Sequence, residues 1–150
     1  MWRYLCLSAA LSIGAAAAGR PELTGTWQLD AARSQIADAR LKAQTWSIAQ
    51  KDDSISITEA ITDNGGKQRK IEIQCGTEGR ECTIKEGGQP TQVTFYYDGP
   101  VLVMLEQWHG ADYVTKKRLQ TSEDGKTLTV EVQHLAPPGH KNESWTFVKQ

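Results

Sequence analysis

Between Pro21 and the C-terminus, apolar side chains recur at every second position, in short runs cut off by clusters of Gly, Pro, Asn, Asp and Ser. Trp46 and Ile48 share one such run. So do Ile55 and Ile57, Ile71 and Ile73, Val93 with Phe95 and Tyr97, Leu102 and Met104, Leu128 and Val130, and Trp145 and Phe147. A period of two is that of a pleated strand with one buried face, and it scatters the same residues around a helix. The runs predict strands over 24–29, 45–50, 54–62, 70–75, 82–85, 91–97, 101–105, 112–120, 128–135 and 144–149. Each is joined to the next by a tight turn, so the expected fold class is all-β, an antiparallel up-and-down barrel of about 8–10 strands whose closure removes exposed edges. A sandwich of two sheets is the rival arrangement.

Two segments break the pattern. After the first strand, Asp30 is placed to cap a short helical segment, with Ile36 on its inner side. The run 101–105, Val-Leu-Val-Met-Leu, is apolar on both faces and calls for a lid, a loop or a partner over its outer side.

The first eighteen residues read differently. Arg3 is their only charge, 5–13 is largely apolar, and Ala15 to Ala18 supply the small residues a signal peptidase cuts behind. The expected organisation is a signal peptide over 1–18 and one β-barrel domain over 19–150, periplasmic or secreted, monomeric, with no membrane span after cleavage. Arg3 leaves with the leader, so the 17 basic residues of the whole chain become 16 against 18 acidic ones, a charge of −2. Such a balance offers no field to draw in nucleic acid or an anionic membrane. Cys6 also leaves, and the remaining pair, Cys75 and Cys82, reads as a disulfide in an oxidising compartment.

Gly25-x-Trp27 on the first strand resembles the lipocalin (calycin-type) signature. In that family the indole closes one end of the barrel and a basic side chain from a late strand lies across it, and Lys149 or Arg118 are the cations available here. The likeness extends to a group of bacterial secreted lipocalin-like proteins, which the chain resembles over most of its length after the leader. Its marks are the start Leu23-Thr24-Gly25-Thr26-Trp27-Gln28-Leu29-Asp30, the turn Tyr97-Asp98-Gly99-Pro100, and the late Asp124-Gly125-Lys126-Thr127-Leu128-Thr129-Val130. Ala31 stands where such proteins often have Pro. The resemblance implies a fold; it carries over no activity.

The sequence offers little chemistry. There is no Gly-x-Ser-x-Gly elbow, no CxxC pair, and none of the Arg-x-Tyr by which fatty-acid-binding barrels hold a carboxylate. His109-x-x-Asp112 is the one near pair of metal-ligand type and reads as surface; Glu106, Glu131 and Glu143 read as outer-face residues. In Lys116-Lys117-Arg118, alternation turns Lys117 away from its neighbours, so either side of the run can face inward. We therefore expect no catalytic residue, no metal and no cofactor.

The inward set is first a core and becomes a pocket only in a wide barrel. In that case Trp46, Ile57, Ile73, Phe95, Tyr97, Met104 and Lys117 are the expected ligand-binding lumen, with Gly25 and Trp27 closing the end and Tyr97 and Trp46 as orienting groups. The leading functional expectation is a non-enzymatic binder of a small apolar or amphipathic molecule. The alternatives are a protein-binding module such as a periplasmic hydrolase inhibitor, working through its loops or the 101–105 strand, and a barrel enzyme of the isomerase or cyclase kind.

Overall fold

The computed structural model describes residues 19–108 and 112–150. The expected leader, 1–18, and His109 lie outside them. The chain forms ten strands: β1 (Gly25–Leu29), β2 (Leu41–Gln50), β3 (Ser54–Asp63), β4 (Gln68–Gly76), β5 (Glu78–Glu86), β6 (Gln89–Asp98), β7 (Val101–Trp108), β8 (Tyr113–Thr121), β9 (Thr127–Ala136) and β10 (Glu143–Lys149). Every expected strand is present. β5 starts four residues before its expected position, because Glu78, Gly79, Arg80 and Glu81 are all exposed and carry no apolar alternation.

All ten strands lie in one antiparallel sheet ordered β4-β3-β2-β1-β10-β9-β8-β7-β6-β5. The meander closes through β1, which pairs with both β2 and β10. The two remaining edges, β4 and β5, face each other without a hydrogen-bonded ladder, so the barrel has one seam. At its turn end the seam is joined by the Cys75–Cys82 disulfide, with Cα atoms 5.9 Å apart. At the other end stands the ion pair of Arg69 on β4 with Glu86 on β5, 3.8 Å apart.

The expected helical segment is reduced to a single 3-10 turn, Ala31–Arg33, capped by the Asp30 side chain, which accepts from Arg33 N–H. The segment that follows is strapped to the barrel rim by the pair Gln35 N–H to Ser144 O (2.7 Å) and Ser144 N–H to Gln35 O (3.1 Å). Ile36 packs on the core, as its position suggests.

One end of the barrel is filled. Trp27 is fully buried and its indole N–H donates to Leu23 O at 2.8 Å. Of the two cations considered, Lys149 covers it, with Nζ 5.3 Å from the ring centroid. Arg118 faces outward and pairs with Asp98 at 3.2 Å. Gly25 is required at the same place: its φ is +145°, and a Cβ there would lie 2.7 Å from Lys149 Cε. Above Trp27 the interior is packed with Ile55, Ile57, Val93, Phe95, Leu102, Met104, Leu119, Leu128 and Phe147, none more than slightly exposed.

The doubly apolar strand needs no lid. Register sets Val103 of β7 between Tyr96 of β6 and Arg118 of β8, and Val101 beside Asp98. The Asp98–Arg118 ion pair therefore runs from β6 to β8 across the outer face of β7, where Val103 is 0% exposed. Long side chains of flanking strands bury an outward valine with their stems while their charged heads stay in water.

Candidate functional site

The other half of the lumen is not filled with hydrocarbon. Following the inward alternation from the filled end toward the mouth, Trp46 gives way to Gln44, Ile57 to Glu59, Met104 to Glu106, Leu119 to Lys117, Val132 to His134 and Trp145 to Glu143. These positions surround a cavity of about 240 Å³ that opens at the mouth, with Ile61, Ile71, Trp108, Val132 and Trp145 supplying apolar wall. A second space of about 360 Å³ shares Arg69, Ile71, Glu86 and Trp108 with it and runs along the mouth end of the β4/β5 seam.

At the centre is a buried ion pair. Lys117 Nζ lies 3.0 Å from Glu106 Oε1 and 2.9 Å from Oε2, and the two residues are 7% and 4% exposed. The ammonium also stands 5.5 Å from the Trp145 ring centroid and 5.9 Å from that of Trp46. Burial works against the charge on Lys117, but Glu106 and Glu59 outweigh it and hold the ammonium above the usual lysine range. Opposite, Glu59 is 4% exposed and accepts from the neutral amide of Gln44 at 3.2 Å. Burial pushes its carboxyl up to about 7 against the attraction of Lys117, and Glu106 and Glu86 push in the same direction as burial. Glu86 is raised as well, by burial first and then by Glu106.

Nearer the rim, Glu143 accepts three hydrogen bonds: from Ala37 N–H (2.8 Å), from Trp145 Nε1–H (3.1 Å) and from His134 Nε2 (2.8 Å). A β10 carboxylate thus ties the rim strap to two lumen side chains. The lining holds five carboxylates, Asp38, Glu59, Glu86, Glu106 and Glu143, against the cations Lys117 and Arg69, with His134 beside them. A cup of this kind can orient a small molecule by hydrogen bonds and charge while aromatic and aliphatic walls take its apolar part.

Of the expected lumen residues, Lys117 lines this cavity. Trp46, Ile57, Ile73, Phe95 and Met104 do face inward but belong to the packed floor. Tyr97 stands at the filled end, away from this cavity, where its hydroxyl receives a hydrogen bond from Gln50 Nε2 at 2.7 Å. Trp46 stacks between Phe147 (centroids 4.9 Å) and Trp145 (6.2 Å, edge-on). Glu106 and Glu143 correct the reading of them as outer-face residues: both point into the lumen, where Glu106 is paired with Lys117 and Glu143 is satisfied by hydrogen bonds from Ala37, Trp145 and His134. Glu131, opposite Arg118 in the ladder, does face out. Asp112 is exposed, and among the described residues no three His, Cys, Asp or Glu side chains assemble as a metal site. Among these residues no helix is long and apolar enough to cross a membrane.

No protein-family model matches the chain, and no curated protein matches it in sequence. Solved structures do share its architecture. A secretary abundant heat soluble protein from Ramazzottius varieornatus superposes with a TM-score of 0.63 at 12% identity, covering 89% of this chain and 99% of that one. The fatty-acid-binding protein 1 of Echinococcus granulosus gives 0.63 at 10% identity, covering 84% and 96%. A Schistosoma mansoni fatty acid binding protein, in complex with arachidonic acid, gives 0.60 at 14% identity, covering 85% and 95%. At such identities the likeness establishes the fold alone, an antiparallel up-and-down β-barrel.

Proposed function

We propose that this chain is a non-enzymatic binding protein that holds one small amphipathic molecule in the upper half of its lumen. The observation that carries the reading is the division of the interior. A floor packed around Trp27 lies beneath a cavity of about 240 Å³, whose wall mixes tryptophan and aliphatic surface with buried hydrogen-bonding groups. A barrel evolved only for stability would continue the hydrocarbon to the rim, since a buried ion pair is commonly no more stabilising than apolar residues of the same volume. Barrels of this architecture that bind fatty acids, the Schistosoma protein with arachidonic acid among them, support the placement of a ligand in the lumen.

A protein-binding role has less support. The 101–105 strand that would have carried it is covered, and among the described residues Tyr113 and Leu135 are the only large apolar side chains that are well exposed. The disulfide supports an exported location, for which the leader over 1–18 would be the address. Expression with the native N-terminus in a Gram-negative host, followed by mass measurement of the periplasmic product, tests this: a chain beginning at Gly19 is expected.

The binding reading is tested by filling the cup. Thr115 lies on the cavity wall in β8, and Thr115→Phe places a ring in the space without touching the floor. Binding of a small neutral fluorescent reporter, 1-aminonaphthalene, is expected for the wild type and absent for the variant at unchanged far-UV circular dichroism. Equal reporter binding by both would overturn the reading.

A further inference from the structure

Resting on the lumen-binding reading, we infer that the head group this cup selects is a protonated amine, carried on an apolar body of about ten non-hydrogen atoms, and not a carboxylate. The argument is one of pairing. Glu106 has Lys117 at 2.9 Å and Glu86 has Arg69 at 3.8 Å, while Glu143 is satisfied by three hydrogen-bond donors, Ala37 N–H, Trp145 Nε1–H and His134. Glu59, 4% exposed and on the cavity wall, has the neutral amide of Gln44 as its hydrogen-bond donor and no cation of its own at salt-bridge distance. A buried carboxylate without a counter-ion is costly, and a ligand that brings the missing charge recovers that cost on binding.

The same geometry works against a fatty acid. Lys117, among the described residues the one deeply buried cation, is held by both oxygens of Glu106, so a carboxylate head would have to displace Glu106 in a space that also contains Glu59 and Glu86. An ammonium meets the opposite field, together with the indole faces of Trp145 and Trp108 on the wall. Size guides the body: about 240 Å³ is the room of about eight water molecules at ~30 Å³ each, which suits an octyl or phenethyl group.

The test is a set of ligands of equal length and different head charge, octylamine, octanol and octanoate, titrated calorimetrically at pH 7 into the wild type, Glu59→Gln and Thr115→Phe. We expect octylamine to bind at least ten-fold tighter than either of the others. Glu59→Gln should remove that preference, bringing octylamine and octanol to within two-fold of each other on the variant, and Thr115→Phe should remove binding of all three. Octanoate binding as tightly as octylamine, or a preference for the amine that survives Glu59→Gln, would overturn the inference. If octanol or octanoate then still binds in a Thr115→Phe-sensitive manner, the lumen reading stands without it. If none of the three binds in that manner, the lumen reading itself fails and takes the inference with it.

Discussion

Replacing Glu59 by Gln should make the folded protein more stable at pH 8 and change little at pH 4.5. In the folded chain burial raises this carboxyl from its ordinary 4.5 to about 7, with Lys117 on β8 opposing and Glu106 on β7 and Glu86 on β5 reinforcing the rise. Between those two values the folded state holds a proton that the unfolded state has already released. Stability therefore falls as the pH rises through that window, and levels off above it. At ~1.4 kcal/mol for each tenfold change in proton affinity, the loss attached to this one group is about 3 kcal/mol. For a domain of this size that is roughly 10 °C in the unfolding midpoint.

Glutamine keeps the shape and can still accept from Gln44, but it never ionises, so the variant should lack this part of the pH dependence. Urea unfolding at pH 4.5, 6, 7 and 8, followed by tryptophan fluorescence, measures both curves. Subtracting one from the other isolates Glu59 from Glu86, which is also raised and contributes with the same sign. Parallel curves for the two proteins would refute the assignment of a proton to Glu59 in the folded lumen.

Other perturbations follow from the same structure. Lys117→Met should cost about 3–5 kcal/mol because it strands Glu106, whereas Lys117→Met combined with Glu106→Leu should recover most of that loss; a denaturant double-mutant cycle reads the coupling. Opening the disulfide, by Cys75→Ser with Cys82→Ser, should lower stability by roughly 2.5 kcal/mol, the chain-entropy value for so short a ring, and speed amide exchange selectively in β4 and β5. Gly25→Ala should cost about 1–3 kcal/mol through backbone strain at φ +145° and should push Lys149 off the Trp27 ring, seen as a change in tryptophan emission.

The apolar half of this architecture was readable from the sequence because hydrocarbon at every second position has one explanation. The strand pairs Trp46/Ile48, Ile55/Ile57 and Leu102/Met104 gave both the strands and the face. The polar half used the same period and was harder to see. Two steps beyond Ile57 stands Glu59, two beyond Met104 stands Glu106, and two before Trp145 stands Glu143, each in phase with its apolar neighbours. Charge alone argued for the outside of the barrel, and only the partners, which come from other strands, show why the inside is tolerated. The set of inward charges and the partners they find across strands is a property of the closed sheet and has no local signature. Lys117 was the exception, because its neighbours Lys116 and Arg118 forced a choice of side. The covering of 101–105 was likewise hidden, since it depends on Asp98 and Arg118 arriving on opposite flanks of β7.

The seam between β4 and β5 leaves two rows of backbone donors and acceptors that no neighbouring strand engages. Side by side and stapled near the floor, each shields the other from a passing chain. Once the sulfurs are reduced, Thr77 at the turn and the Arg69–Glu86 pair at the mouth are what remain to hold the two margins together, and unpaired strand edges are the kind of surface on which a second chain can extend a sheet. The cystine thus keeps the two unpaired edges side by side at one end of the seam, a constraint that lasts where the surroundings stay oxidising.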